Sequence, residues 1–293
     1  MKNLLYQWDT DALPSVFDNV VAYDGGADHV IPYGGVTPDR VGPLVEGAIF
    51  TRGPKDKRHT AIFVGGSDLF AGEALFNAVQ KKFFGKFRVS LMLDSNGANT
   101  TAAACVALLS NGRSLTGMSA TVLAGTGPVG QRAAVMLARE GVTVTLTGRQ
   151  LEKTRTVCDA LEKRFDVRLS AVAAPDLDSR ARAVMDANII ISTGAAGVVL
   201  LEEKHWSGLS GLQLVADANA TPPAGIEGVD VMDRGARRHN ASTYGAIGFG
   251  ALKLALHRAC IGRLFQQNDL VLDATEIYAI AKEMVGQSQG EKP

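Results

Sequence analysis

The clearest chemical signal in the chain is Gly125-Thr126-Gly127-Pro128-Val129-Gly130. Glycines at this spacing let a strand turn tightly into a helix, bring backbone against a pyrophosphate, and seat the helix close to the strand. The helix N-terminus then offers N–H groups and a favourable dipole to the phosphates. The context fits, because the apolar run Ala120-Ala124 precedes the motif and a helical stretch near Val129-Arg139 follows it. Dinucleotide binding is the preferred reading, although a plain Gly-rich turn would carry the same letters. About twenty residues on, where an NAD site would place an acid for the ribose hydroxyls, the next strand ends Thr147-Gly148-Arg149. A guanidinium there suits a ribose phosphate, with the Thr147 hydroxyl as a second donor, and favours NADP. The less favoured alternative is that Arg149 covers the adenine face without selecting a phosphate. Thr193, Gly194 and Ala195 end a further strand as a small, flexible loop that suits ribose and nicotinamide, and Asp217 and Asn219 hold the corresponding place one strand later.

A second set of polar residues points to a substrate. Asp94 is placed at the carboxyl end of a strand, beside Ser95, Asn96, Asn99 and Thr100, where α/β folds bind ligands. An Asx turn or a helix cap is the competing assignment. Further on, Gly245-Ala246-Ile247-Gly248-Phe249-Gly250 precedes a helix expected from about residue 251 to 265, with Lys253 and His257 one turn apart on one face. They point either into a cleft or outward as a polar stripe. No HExxH, GxSxG or paired Cys/His cluster is present, the five histidines are scattered, and no metal site is expected.

These residues need strands and helices in alternation. Leu4-Trp8, Ala61-Val64 and Arg88-Leu93 read as strands, with helices near Pro14, from about 69 to 84, and from 101 to 109. Turn chemistry between about Ser110 and Ser119 marks a boundary, giving a substrate domain over 1–112 and a dinucleotide domain over 113–293 that keeps the C-terminal helices. The second series has strands Ala120-Ala124, Val142-Thr147, Asn188-Ser192 and Leu212-Ala216. The expected fold class is therefore α/β in two domains: an N-terminal α/β domain like that of amino-acid dehydrogenases, and a Rossmann-type domain with a parallel sheet. The last residues, Gln287 to Pro293, read as disordered.

The bulk properties exclude other classes. Of 293 residues, 30 are basic and 30 acidic, so no overall field draws a nucleic acid or an anionic membrane. The three cysteines form no CxxC pair and suit a reducing compartment, with the cytoplasm as the simplest address. Asp9, Asp11 and Asp18 interrupt any N-terminal apolar run, and Asn188 to Leu201 is too short to span a bilayer.

Longer stretches carry a resemblance. Asp9-Thr10-Asp11 with Pro14-Ser15-Val16-Phe17-Asp18, Tyr23-Asp24-Gly25-Gly26-Ala27-Asp28-His29, Ala61-Ile62-Phe63-Val64-Gly65-Gly66, Leu93-Asp94-Ser95-Asn96-Gly97 and Asn99-Thr100-Thr101-Ala102-Ala103-Ala104 are among them. They continue in Leu123 to Gly130, Leu252-Lys253-Leu254 and Leu256-His257-Arg258-Ala259-Cys260-Ile261. Over nearly its whole length the chain resembles the NADP-dependent methylene-tetrahydromethanopterin dehydrogenases of methylotrophic bacteria. The resemblance implies oxidation of a methylene bridge between two pterin-cofactor nitrogens to a methenyl cation, with NADP as acceptor and tetrahydrofolate as a second carrier. It also implies a cytoplasmic homo-oligomer, a trimer, and brings Asp9, Thr10, Lys253 and His257 to the pterin side with Asp94, Ser95, Asn96, Asn99 and Thr100. Gln150 departs from the family, which carries a second basic residue there.

Removing hydride from a carbon flanked by two nitrogens leaves a delocalised cation and releases no proton, so no general base is required. On this reading Asp94 stabilises the cation or holds the pterin ring, and Lys253 contacts a pterin carbonyl, a tail carboxylate or the nicotinamide amide. A shikimate-type or amino-acid-type dehydrogenase would instead use Lys253 with Asp94 as an acid-base pair, and an NADP-binding sensor would need neither.

Overall fold

The computed structural model describes residues 1–290 and divides the chain into two compact units: Met1–Thr100 with Leu254–Ala281, and Thr101–Lys253 with the chain from Lys282 on. In the first, β1 (Leu4–Asp9), α1 (Val16–Asp24), β2 (His29–Tyr33), α2 (Val41–Phe50), β3 (Thr60–Gly65), α3 (Leu69–Lys82), β4 (Ser90–Leu93) and the start of α4 (Ala98–Leu109) alternate as expected. Every residue of β3 is buried, the pattern of a strand covered on both faces of a parallel sheet. Ser15 starts α1 by accepting the N–H of Asp18 at 3.2 Å, and Asp68 starts α3 by accepting those of Phe70 and Ala71. The core runs through Trp8, Val45, Ile62, Leu75, Leu91 and Leu93.

β2 and α2 carry weak sequence signals. Pro32 removes a ladder donor, which an edge strand tolerates, and β2 is the edge in the order β12-β4-β3-β1-β2, with β12 at Val271–Leu272. Gly42, Pro43 and Gly47 weaken the helical signal of α2.

The second unit holds β5 (Ser119–Leu123), α5 (Pro128–Arg139), β6 (Thr143–Gly148), α6 (Leu151–Phe165), β7 (Leu169–Ala173), α7 (Leu177–Ala183), β8 (Ile189–Ser192) and β9 (Leu214–Asp217). β10 (Arg234–Arg238), β11 (Ala241–Gly245) and the start of α8 (Ala246–Leu264) complete it. Its seven strands run β10-β11-β9-β8-β5-β6-β7, all parallel but the edge strand β10. That is the doubly wound Rossmann order, and its switch point lies between β5 and β8. Leu201, Trp206, Val215 and Ile226 anchor its core.

Three expectations are corrected. The segment 254–281 does not stay with the dinucleotide unit: Val271–Leu272 extends the first sheet by pairing with Leu91–Met92, and Ile261 packs on Gly25, where a Cβ would lie 2.7 Å away. The Gly-rich stretch 245–250 is not an approach to a helix, because α8 starts at Ala246. A Cβ on Gly248 would fall 1.9 Å from the Asp233 carbonyl, so glycine is what lets this turn pack there. Finally, α9 (Ala274–Gly290) continues through 287–290, which were expected to be disordered, while 291–293 lie outside the described residues.

Candidate active site

In the second unit the fingerprint forms the turn between β5 and α5, and its glycines differ in what surrounds them. A Cβ at Gly125 would meet Leu146 at 2.8 Å, and one at Gly130 would meet the Thr193 hydroxyl at 2.5 Å. At Gly127 nothing lies nearer than 4.0 Å, so this backbone is open to a ligand. Gly127 has no side-chain cap on α5, and Pro128 takes the first helical position, where its missing N–H costs nothing. Gln131 fixes the loop by donating to the Thr126 carbonyl at 2.7 Å.

A groove of about 510 Å³ runs from this turn, past Gly127, Gly148 and Arg149, to Thr193, Gly194 and Ala195. Beside it a recess of about 340 Å³ is lined by Thr126, Arg149, Gln150, Lys153 and Thr154. Two exposed cations and no acid line that recess. Lys153 is not among the residues expected from the sequence, where the strand end carries the signal; its own signal is its place one helical turn past Arg149. Arg180, whose Nη1 donates to the Leu200 carbonyl at 3.0 Å, and Val198 also line the groove and carried no sequence signal.

Other expected ligands are engaged within the fold. Thr147 lines the groove, and its buried hydroxyl donates to the Val122 carbonyl and accepts from the Ala124 N–H at 3.1 Å, so it also shapes the turn. Pro128 and Val129 serve as helix start. Asp217 is 1% exposed, and its carboxylate accepts the N–H groups of Asn219 and Ile226 at 3.1 and 3.0 Å. Asn219 in turn donates to the Pro223 carbonyl and accepts from Thr221. Both face their own loop, not the groove. Burial pushes the Asp217 carboxyl above its ordinary value, against the opposing pull of the N–H groups around it.

In the first unit the carboxyl ends of β1, β3 and β4 gather most of the expected substrate residues. Asp94 is 0% exposed, and its carboxylate accepts the Asn99 N–H at 2.9 Å, the Thr100 N–H at 3.0 Å and the Thr100 hydroxyl at 2.6 Å. It caps α4, so the helix-cap alternative describes it and direct contact with substrate does not. Ser95 donates to the Gly65 carbonyl, and Asn99 to the Leu93 carbonyl and to Asp273; both are buried. Asn96 is exposed, with φ at 55°, and its N–H donates to the Gly66 carbonyl.

Asp9 is also buried, accepting the N–H groups of Asp11 and Ser15. Desolvation raises its pKa, those two N–H groups oppose the rise, and the Asp11 charge adds to it. Thr10 is half-buried against Gly66, where φ is 112° and a Cβ would lie 1.9 Å from the Thr10 hydroxyl, so that crossing requires glycine. His257 is not on a ligand-facing surface: its ring is fully buried, stacked 5.4 Å from Phe63, with Nδ1 3.9 Å from Asp94. Lys253, in contrast, is half-buried. Two residues inside a motif that carries the resemblance lie near these side chains: Phe17, half-exposed with its ring 6.4 Å from that of His257, and Asp18 beside Gly65.

The chain is 55% identical over 285 residues to the bifunctional protein MdtA of Methylorubrum extorquens, covering 97% of this chain and 99% of that protein. It is 31% identical to the NAD(P)-dependent methylenetetrahydromethanopterin dehydrogenase of the same organism, over 93% of this chain and 95% of that one. The family model for the N-terminal part of methylene-tetrahydromethanopterin dehydrogenase matches residues 16–96. The chain belongs to this family of dehydrogenases.

For the methylene-tetrahydromethanopterin dehydrogenase family, the matched span contains Phe17, Asp18, the Gly65-Gly66 crossing and the Asp94 cap. Two solved structures share the fold at low identity. A shikimate 5-dehydrogenase from Mycobacterium fortuitum has a TM-score of 0.54 and 17% identity over 96% of this chain and 98% of that one. One from Listeria monocytogenes, in complex with shikimate and NAD, has 0.53 and 12% over 95% and 96%. They bear out the α/β architecture expected from the alternating elements. The NAD(P) dependence of the family agrees with the groove at the fingerprint turn.

Proposed function

We propose that this enzyme oxidises methylene-tetrahydromethanopterin to the methenyl cation with NADP as acceptor, and uses methylene-tetrahydrofolate as a second substrate. The first unit takes the pterin carrier and the second the dinucleotide. The remaining proposals are a cytoplasmic homotrimer whose partners are small molecules, without nucleic acid or membrane; no described helix is long and apolar enough to cross a membrane. The observation that carries the NADP preference is the recess beside the fingerprint turn, with Arg149 and Lys153 on its wall. Lys153 supplies the second positive charge that Gln150 does not.

The groove residues fit a dinucleotide. Gly127 and the start of α5 hold the pyrophosphate by backbone, Arg149 and Lys153 the ribose phosphate, and Thr193 to Ala195 the far ribose. When bound, the nicotinamide supplies a two-electron acceptor for the hydride. The protein's contribution is to hold the donor carbon against it and to keep water from the product cation. Because no proton leaves, buried Asp94 and His257 need not titrate during turnover; they hold the β4–α4 corner that presents Asn96. The half-exposed Phe17 ring offers a stacking face, and Asp18 a charge of the sign that a forming cation prefers.

Purified protein mixed with methylene-tetrahydromethanopterin or methylene-tetrahydrofolate, each with NADP or NAD, tests this when reduced nicotinamide is followed by absorbance. Turnover with both carriers, and a larger kcat/KM with NADP than with NAD, is expected. Equal efficiency with the two dinucleotides would remove the phosphate assignment. A pH profile with an essential basic group in the hydride step would favour an acid-base dehydrogenase.

A further inference from the structure

The loop after β9 reaches the groove wall through backbone hydrogen bonds to Leu200 and not by a side chain of its own. Asp217 closes this loop by taking the Asn219 and Ile226 N–H groups, one at each carboxylate oxygen. Gly225 lies against it, where a Cβ would fall 2.4 Å from the Ser192 hydroxyl and 2.8 Å from Asp217 Oδ1, so any side chain there must displace one of them. The Gly225 carbonyl then accepts the Leu200 N–H at 2.7 Å and the Leu201 N–H at 3.2 Å, and Leu201 forms a parallel bridge with Ile226. Leu200 sits on Gly194, where a Cβ would lie 2.7 Å from Leu200 Cδ1, and both line the groove. A continuous path of short contacts thus joins a carboxylate that does not face the groove to the groove wall.

We infer that Asp217 is a positioning residue for dinucleotide binding, setting the 193–200 wall of the groove through Gly225 and Leu200. The inference rests on the dinucleotide reading of that groove and adds to it a residue that never touches the cofactor. A carboxylate is needed because each of its two oxygens accepts a backbone N–H, that of Asn219 at one and that of Ile226 at the other. Asparagine would turn an NH2 toward one of the two N–H groups and force the loop to move. The buried charge is tolerated because those donors surround it.

The test uses the whole protein, and NADP as the probe. Dissociation constants come from quenching of tryptophan fluorescence, and hydrogen exchange is followed at the amides of 198–201 and 219–226. Asp217→Asn is expected to raise the NADP dissociation constant roughly tenfold and to speed exchange at Leu200, Leu201 and Ile226, with the first unit unchanged. Gly225→Ala perturbs the same path without altering the charge and serves should Asp217→Asn fail to fold. It is expected to reproduce the effect, and the double variant to be no weaker than the weaker single one. NADP affinity within twofold of wild type in a folded variant overturns the inference and leaves the cofactor reading standing. Exchange speeded uniformly over both units overturns it in favour of a global structural role. Wild-type protein that binds neither NADP nor NAD overturns the cofactor reading, and the inference with it.

Discussion

The carboxyl ends of the strands in the two units hold polar residues at equivalent places in an α/β fold, yet use them in opposite ways. After β4, the side chains of Asp94, Ser95, Asn99 and Thr100 turn inward and are consumed by hydrogen bonds within their own corner. After β5 and β6, Gly127 leaves backbone uncovered, and Arg149 and Lys153 remain exposed on a recess. The first arrangement builds a rigid platform that presents backbone and a few side chains. The second presents charge. A polar residue at a strand end therefore identifies a ligand group only once its own donors and acceptors have been counted.

The largest effect that would break this contrast is on stability. Asp94→Ala leaves three buried donors without their acceptor, at about 1–3 kcal/mol each, and should lower unfolding free energy by about 3 kcal/mol or more. Denaturant unfolding measures it. An Asp94→Ala protein with unchanged stability but no turnover would return Asp94 to direct contact with substrate.

The glycines sharpen the contrast inside the cofactor unit. Gly130→Ala sets a Cβ 2.5 Å from the Thr193 hydroxyl and should destabilise the fold by about 1–3 kcal/mol, the usual cost of overpacking. Gly127→Ala points its Cβ into open space, so the variant should melt within a few degrees of wild type while losing affinity for NADP and NAD alike. Thermal melts paired with binding titrations separate the two, and equal behaviour would mean that the backbone at Gly127 does not meet the ligand.

Much of this was legible beforehand. The fingerprint is read from spacing because each glycine answers a backbone requirement, and the alternation of apolar strands with helices gave both α/β units. Side-chain direction was not legible. Asp94 and Asp217 have the residue type and strand-end position of ligands, but whether a carboxylate faces a ligand or its own loop depends on N–H groups several residues away. His257 and Lys253 share a helical stripe in sequence, while the structure buries the first and leaves the second half-buried. Lys153 was hidden for the opposite reason, since an exposed lysine on a helix is the commonest of solvated residues. The C-terminal return of Val271–Leu272 to the first sheet rests on a two-residue strand, too short to show periodicity.

A smaller effect depends on pH. Burial holds Asp9 above its ordinary pKa of 3.8, so its protonated form is the one that folding favours. That contribution is fully present below 3.8 and is lost as pH rises through the raised value. Asp9→Asn should therefore gain on wild type in melting temperature as pH rises above about 4. A gain that shrinks over this range would contradict the assignment.

The most direct test of the account concerns the recess beside the fingerprint turn. Binding of NADP and NAD should be measured by titration on wild type, Arg149→Ala, Lys153→Ala and the double variant, with turnover of methylene-tetrahydromethanopterin followed in parallel. Each lost charge-assisted contact should be worth about 1.5–3 kcal/mol, roughly ten- to a hundredfold in NADP affinity. NAD affinity should stay within a few-fold, and turnover at saturating dinucleotide should be retained. Parallel losses for NADP and NAD, or none for either, would contradict the assignment of Arg149 and Lys153 to the ribose phosphate.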